Sequence, residues 1–230
     1  RHHNLMKREE ICARISEIGI IQAVRLYSES DALFAAEAVC ESGIPIVEVT
    51  MTIPGAFRII SELTRHNTGL IVGAGTVADV ETAVSCLDAG AAFLTSPGLD
   101  LEIVRFARQR DVAVLPGALT PSEVMAAWKA EADFVKVFPC AQVGGPSYIR
   151  ALKGPFPQVP MIASGGVNQK NAAEFILAGA AALGIGGDLI HQDAIKRRER
   201  DWIQELARRY RGMVTEARAQ LAARSGSKGR

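Results

Sequence analysis

Ile44-Pro-Ile-Val-Glu-Val-Thr50 leads, after two residues, into an amphipathic stretch over 53–66. Strand alternation puts Ile46, Glu48 and Thr50 on one face and Val47 and Val49 on the other. Apolar residues on both faces describe a strand covered on both sides, and the helix behind it completes one unit of a parallel α/β sheet. The unit recurs in both directions along the chain. Short Val- and Ile-rich runs at 20–25, 70–75, 93–95, 112–116, 134–138, 161–163 and 182–185 bring the strands to eight. Helical patterns at 30–42, 53–66, 79–89, 101–110, 121–130, 148–152 and 168–178 separate them. Asp79, Asn168 and Thr120 (with Pro121 behind it) are the expected N-caps. Gly43, Gly90 and Gly179 follow helices, where a left-handed residue is wanted. Eight repeats of this kind predict a single (β/α)₈ barrel domain of the TIM type over 1–230, with its core over about 20–190. An open doubly wound sheet is the alternative, but its usual GxGxxG first turn is missing.

A helical pattern over 6–18 is expected to cap the barrel bottom. A long amphipathic one over 201–223 carries Trp202, Ile203, Leu206, Tyr210, Met213 and Val214 on one broad face, and the tail from Ser225 is expected to fray. The opening Arg1-His2-His3-Asn4 reads as an expression remnant and is set aside. The chain has 230 residues, 48% of them apolar, and a net charge of +1. That balance gives no field for nucleic acid or a membrane surface and points to a small-molecule ligand. No run of 18 apolar residues spans a bilayer and no signal peptide is visible. Cys12, Cys40, Cys86 and Cys140 form neither a CxxC pair nor a zinc spacing, so they read as small buried hydrophobes of a reducing, cytoplasmic compartment. No cluster has metal-ligand spacing, and no metal or cofactor is expected.

The chemistry concentrates in Asp133-Phe-Val-Lys-Val-Phe-Pro139. Phe134, Lys136 and Phe138 share the face opposite Val135 and Val137, which aims Lys136 into the barrel. Burial there favours the neutral, nucleophilic amine unless a carboxylate pairs with it. By the same alternation Glu48 is an interior carboxylate near the end of its strand. Two readings stand: a mutually neutralising pair, or a nucleophile beside an acid/base. Their place at strand C-terminal ends favours catalysis. Glycine turns, read at 73–76, 164–166 and 184–187, include two after strands seven and eight, where backbone amides can approach an anion. Arg25, ending strand one, reads as either an anion contact or a solvated cation. His66 and His191 read as surface residues.

At these positions the sequence resembles the 2-keto-3-deoxy-6-phosphogluconate and 4-hydroxy-2-oxoglutarate aldolases. The matching segments are Val47-Glu-Val-Thr50, Val72-Gly-Ala-Gly-Thr-Val77, Ser96-Pro-Gly98, Leu115-Pro-Gly117, Lys136-Val-Phe-Pro139, Gly154-Pro-Phe156, Ser164-Gly-Gly166 and Gly184-Ile-Gly-Gly187. The resemblance implies a metal-free class I aldolase, a homotrimer, that cleaves a 2-keto-3-deoxy sugar acid or 4-hydroxy-2-oxo acid to pyruvate and an aldehyde. It makes Lys136 the Schiff-base lysine and Glu48 the proton carrier. Thr76 contacts the pyruvyl part, Pro97 and Phe138 line the pocket, and Ser164, Gly165, Gly166 and Gly187 receive the far end of the substrate.

Three departures from the family pattern stand out. Thr52 occupies a position where some relatives carry a carboxylate-binding arginine, which makes Arg25 the candidate for that role. Ser164 replaces a threonine and keeps its hydroxyl. Asp188 stands where serine often supports a substrate phosphate, and a carboxylate beside a dianion is repulsive by roughly 1–4 kcal/mol at a few ångströms. Poor use of phosphorylated substrates is therefore expected. Glu131 also stands where the family tends to have glycine. Two competing functions remain at this level: a phosphate-binding isomerase or epimerase without an imine, and a non-catalytic trimeric assembly protein.

Overall fold

The computed structural model describes residues 6–66 and 69–227, so His2 and His3 lie outside it. Nine parallel strands form one sheet: β1 (Ile20–Val24), β2 (Ile46–Thr50), β3 (Ile71–Gly75), β4 (Phe93–Thr95), β5 (Ala113–Leu115), β6 (Gly117–Ala118), β7 (Val135–Val137), β8 (Met161–Ser164) and β9 (Ala182–Ile185). Their order is β5-β4-β3-β2-β1-β9-β8-β7-β6. The two ends of that order are neighbours in the chain, separated only by Pro116. Proline has no N–H for the ladder, so the fifth barrel strand is broken into β5 and β6. The Pro116 carbonyl still accepts from the Lys136 N–H at 2.9 Å, and the Val114 carbonyl from the Asp133 N–H at 3.0 Å. The sheet thus closes through the break, and the expected eight strands are the observed ones with the fifth in two pieces.

Ten helices surround the sheet among the described residues: α1 (Arg8–Ile18), α2 (Glu29–Glu41), α3 (Ala56–His66), α4 (Val80–Asp88), α5 (Leu101–Gln109), α6 (Pro121–Lys129), α7 (Pro146–Lys153), α8 (Ala172–Leu177), α9 (Gln192–Lys196) and α10 (Arg200–Ser227). Asp79 and Thr120 cap α4 and α6 as expected, accepting from the Thr82 and Glu123 N–H groups. Asn168 does not cap α8. That helix begins four residues later, and the Asn168 Oδ1 instead accepts from the Lys170 and Asn171 N–H groups in a preceding turn. The short α9 was not foreseen; five residues are too few to show a period.

The barrel bottom is sealed by α1, where Arg8 joins Asp111 at 2.8 Å and Asp133 at 2.5 Å, just before β5 and β7. Helix α10 packs on α8 and α2 through Ile203, Leu206, Ala207, Tyr210, Val214 and Ala217. Each large apolar side chain buried there contributes about 1.5–3 kcal/mol. Its Arg211 and Arg218 donate to the terminal carbonyls of α1 (Ile18, Glu17 and Ser16), which ties the helix to the bottom cap. Two expectations about this helix fail. Trp202 is half exposed and meets His191 edge-on at 5.2 Å rather than joining the buried face, and 225–227 continue the helix instead of fraying. No helix among the described residues is long and apolar enough to cross a membrane.

Candidate active site

β7 and β2 lie four strands apart around the ring, on opposite sides of an eight-position barrel. Side chains can meet across it only if both point inward. Lys136 Nζ donates to Glu48 Oε1 at 3.4 Å, with Lys136 7% and Glu48 5% exposed. The alternation read from the sequence is therefore correct for both strands. Valines 135 and 137 turn outward and are buried under the helices. Nζ also lies 5.7 Å from the centroid of the Phe138 ring, whose face favours a cation.

Room for Glu48 comes from a glycine. In register, Glu48 pairs with Gly73 and Thr50 with Gly75 on β3. A Cβ on Gly75 would stand 1.9 Å from Glu48 Oε1, and one on Gly73 would stand 2.3 Å from the Phe93 ring. Both glycines lie in the strand expected over 70–75, at the end where the glycine turn was read. Their missing side chains leave the space that Glu48 and Phe93 occupy. Gly184 likewise lies within the strand expected over 182–185, and a Cβ there would stand 3.1 Å from the Ser164 hydroxyl.

The loops after the strands complete the mouth. Thr76 follows β3 with φ of 56°, a left-handed conformation that is strained for a β-branched residue. It shares an open cleft of about 420 Å³ with Thr52, Met51, Ile53 and Phe57. Thr52 is linked to the interior through a 3.0 Å hydroxyl contact with Thr50. Gly165 and Gly166 adopt φ of 90° and 75° and press against Pro139 and Ala141. The Ser164 and Gly165 carbonyls accept from the Cys140 and Ala141 N–H groups, so the loops after β7 and β8 are hydrogen-bonded into one piece. The Phe138–Pro139 peptide in that piece is cis.

On the other side the Ser96 hydroxyl donates to the Gly98 carbonyl at 2.7 Å and accepts from the Gly117 N–H at 3.4 Å. This fixes Pro97 against the strand beside Lys136, an approach that only glycine at 117 permits. Arg25, Gly187 and Asp188 are exposed on the rim. The Asp188 carbonyl accepts from the Tyr210 hydroxyl at 3.2 Å, which anchors that rim loop to α10. An ion pair joins Lys136 and Glu48 with the Phe138 ring beside the amine, and the remaining expected residues lie on the strand ends and loops around the mouth. Sequence reading named the segments that hold Gly73, Gly75 and Ser96 but assigned these three no role of their own; strand register was the signal that would have found it for the glycines.

His66 pairs with Glu62 at 2.8 Å on the surface of α3, and His191 is exposed, as expected of both. All four cysteines are free thiols.

The sequence profile described as KDPG and KHG aldolase matches residues 11–206. A 2-dehydro-3-deoxy-phosphogluconate aldolase of Pseudomonas aeruginosa is 34% identical over 203 residues, 88% of this chain and 91% of that one. The solved KDPG aldolase of Legionella pneumophila, with pyruvate captured as a covalent carbinolamine, superposes with a TM-score of 0.80 at 31% identity, over 86% of this chain and 96% of that one. A cube-shaped protein cage designed by fusing symmetric oligomeric domains gives a TM-score of 0.83 at 28% identity, covering 93% of this chain and 78% of the other.

Proposed function

This chain belongs to the KDPG and KHG aldolase family and is a class I aldolase, a carbon–carbon lyase, and we propose that Lys136 is its imine-forming residue. The observation that carries the assignment is the buried amine of Lys136 facing the buried carboxylate of Glu48 at 3.4 Å. The amine attacks C2 of a 2-oxo acid, and loss of water leaves a protonated imine. Glu48 accepts the C4 hydroxyl proton, the C3–C4 bond breaks, and its electrons enter the imine to give an enamine while the aldehyde departs. Return of a proton to C3 and hydrolysis release pyruvate and the free lysine.

Thr76 and Phe138 border the pyruvyl end, with Pro97 as the opposing wall. Ser164, Gly165, Gly166 and Gly187 receive the far end, and Arg25 supplies the cation that Thr52 does not. Asp188 on that rim disfavours a phosphate and favours a neutral sugar hydroxyl. The quaternary state we assign is a homotrimer of single-domain barrels, supported by the likeness to a cage built from symmetric oligomeric domains. We place the enzyme in the cytoplasm, given its four free thiols.

Borohydride reduction in the presence of pyruvate, followed by peptide mass analysis, tests the central step. A reduced pyruvyl adduct on Lys136 is expected. A folded protein that turns over substrate without any adduct would overturn the assignment in favour of an imine-free isomerase or epimerase chemistry.

A further inference from the structure

Thr95 is the last residue of β4 and is 3% exposed. Its Oγ1 is buried and has no hydrogen-bond partner among the described residues. Buried hydroxyls are nearly always partnered, and an orphaned one calls for a reason. Its position supplies one. Phe93, two residues earlier on the same face, fills the space over Gly73, so this face of β4 looks into the barrel. Ala74 pairs with Leu94 and Thr95 with Leu115, which sets Thr95 beside Gly75 on the adjacent strand. Gly75 is the glycine whose side-chain space holds the Glu48 carboxylate. Neighbouring strands lie about 4.8 Å apart, a spacing that puts the hydroxyl within reach of the carboxylate through a single bridging water. An orphaned donor thus sits next to an acceptor whose only described side-chain partner is Lys136.

Resting on the aldolase assignment above, we infer that Thr95 is a positioning residue for proton transfer at C3: its hydroxyl, through one water, holds the Glu48 carboxylate in the orientation that moves the proton. Lys136 forms the imine without this help. Proton exchange at C3 of the bound pyruvyl group depends on it.

The two steps separate experimentally. In D₂O the enzyme exchanges the methyl protons of pyruvate: Glu48 takes a C3 proton from the imine, solvent replaces it, and a deuteron returns to the enamine. Proton NMR reads this rate, while borohydride trapping reads imine formation on Lys136. For Thr95→Val, which keeps the shape and removes the hydroxyl, exchange is expected to fall about tenfold, the loss of roughly one hydrogen bond to a charged group. Trapping and the pyruvate concentration for half-saturation should stay within about twofold. Thr95→Ser should restore most of the exchange. Unchanged exchange in Thr95→Val overturns the inference, and so does a parallel loss of exchange and trapping, which is the mark of a packing defect. Failure of the native protein to trap pyruvate would instead remove the aldolase assignment itself.

Discussion

Replacing Gly75 by alanine tests how the pair in the barrel is built. The added Cβ would stand 1.9 Å from Glu48 Oε1 and 2.6 Å from its Cδ and Cγ. Ordinary contact requires about 3.5 Å, so the carboxylate must retreat by roughly 1.5 Å. It is 5% exposed and bounded by Lys136, so a retreat moves it off the amine. The 3.4 Å contact with Nζ is lost as a result. Overpacking of this kind costs about 1–3 kcal/mol, which in a chain of this length lowers the melting temperature by roughly 3–10 °C. Displacing an acid/base by more than an ångström costs on the order of 100-fold in rate. Pyruvate release followed through lactate dehydrogenase, with a thermal melt alongside, measures both. Gly73→Ala is the control, because its Cβ strikes the Phe93 ring rather than a reacting group. It should melt as low as Gly75→Ala while losing less than about tenfold in rate. A Gly75→Ala enzyme with native activity and stability would refute the reasoning, as would equal rate losses in the two variants.

Further outcomes follow from the same geometry. Glu131 sits at φ of 65° after α6, in the left-handed region that costs a non-glycine residue about 1–2 kcal/mol. After the entropy glycine loses on folding, Glu131→Gly should stabilise the protein by about 0.5–1 kcal/mol in a denaturant titration. Lys136→Met should abolish pyruvate trapping and destabilise the fold by about 3–5 kcal/mol, because Glu48 is left buried and charged without a partner. Adding Glu48→Gln should recover most of that stability without recovering activity. Burial pushes the thiols of Cys12 and Cys140 up to about 12 and that of Cys86 up to about 11. Raised values mean protonated thiols below those pH values, so at pH 8 the reactive thiolate is on the order of a thousandth or less. Disulfide-exchange labelling of these three should therefore wait for guanidinium, and rapid labelling of the native protein would contradict it. Asp188→Ser should raise kcat/KM for a phosphorylated substrate by about tenfold relative to its unphosphorylated counterpart, the effect of removing a carboxylate from beside a dianion. An unchanged ratio would mean that Asp188 does not face the far end of the substrate.

Alternation in two short segments, together with the periodic spacing of strands and helices, determined the fold and the central pair. Residue order fixes which side chains share a face in any strand, so Lys136 and Glu48 point inward once the chain is a barrel. The same reasoning gave the caps at Asp79 and Thr120 and the helix-ending glycines, because each depends on a few neighbouring residues. Other features needed contacts between residues distant in sequence. Pro116 reads as the end of a strand, and only the pairing on both sides of it reveals one strand in two pieces. Gly73 and Gly75 read as the glycine-rich end of a strand; their use as space for Phe93 and Glu48 depends on the register of three strands. Trp202 fits the apolar stripe of α10, but in the fold it stands half exposed against His191. Thr95 looks like any strand residue until Gly75 is placed beside it with a carboxylate above. Local sequence dictates which way a side chain points, whereas what it meets is set by the closure of the barrel, which no single segment contains.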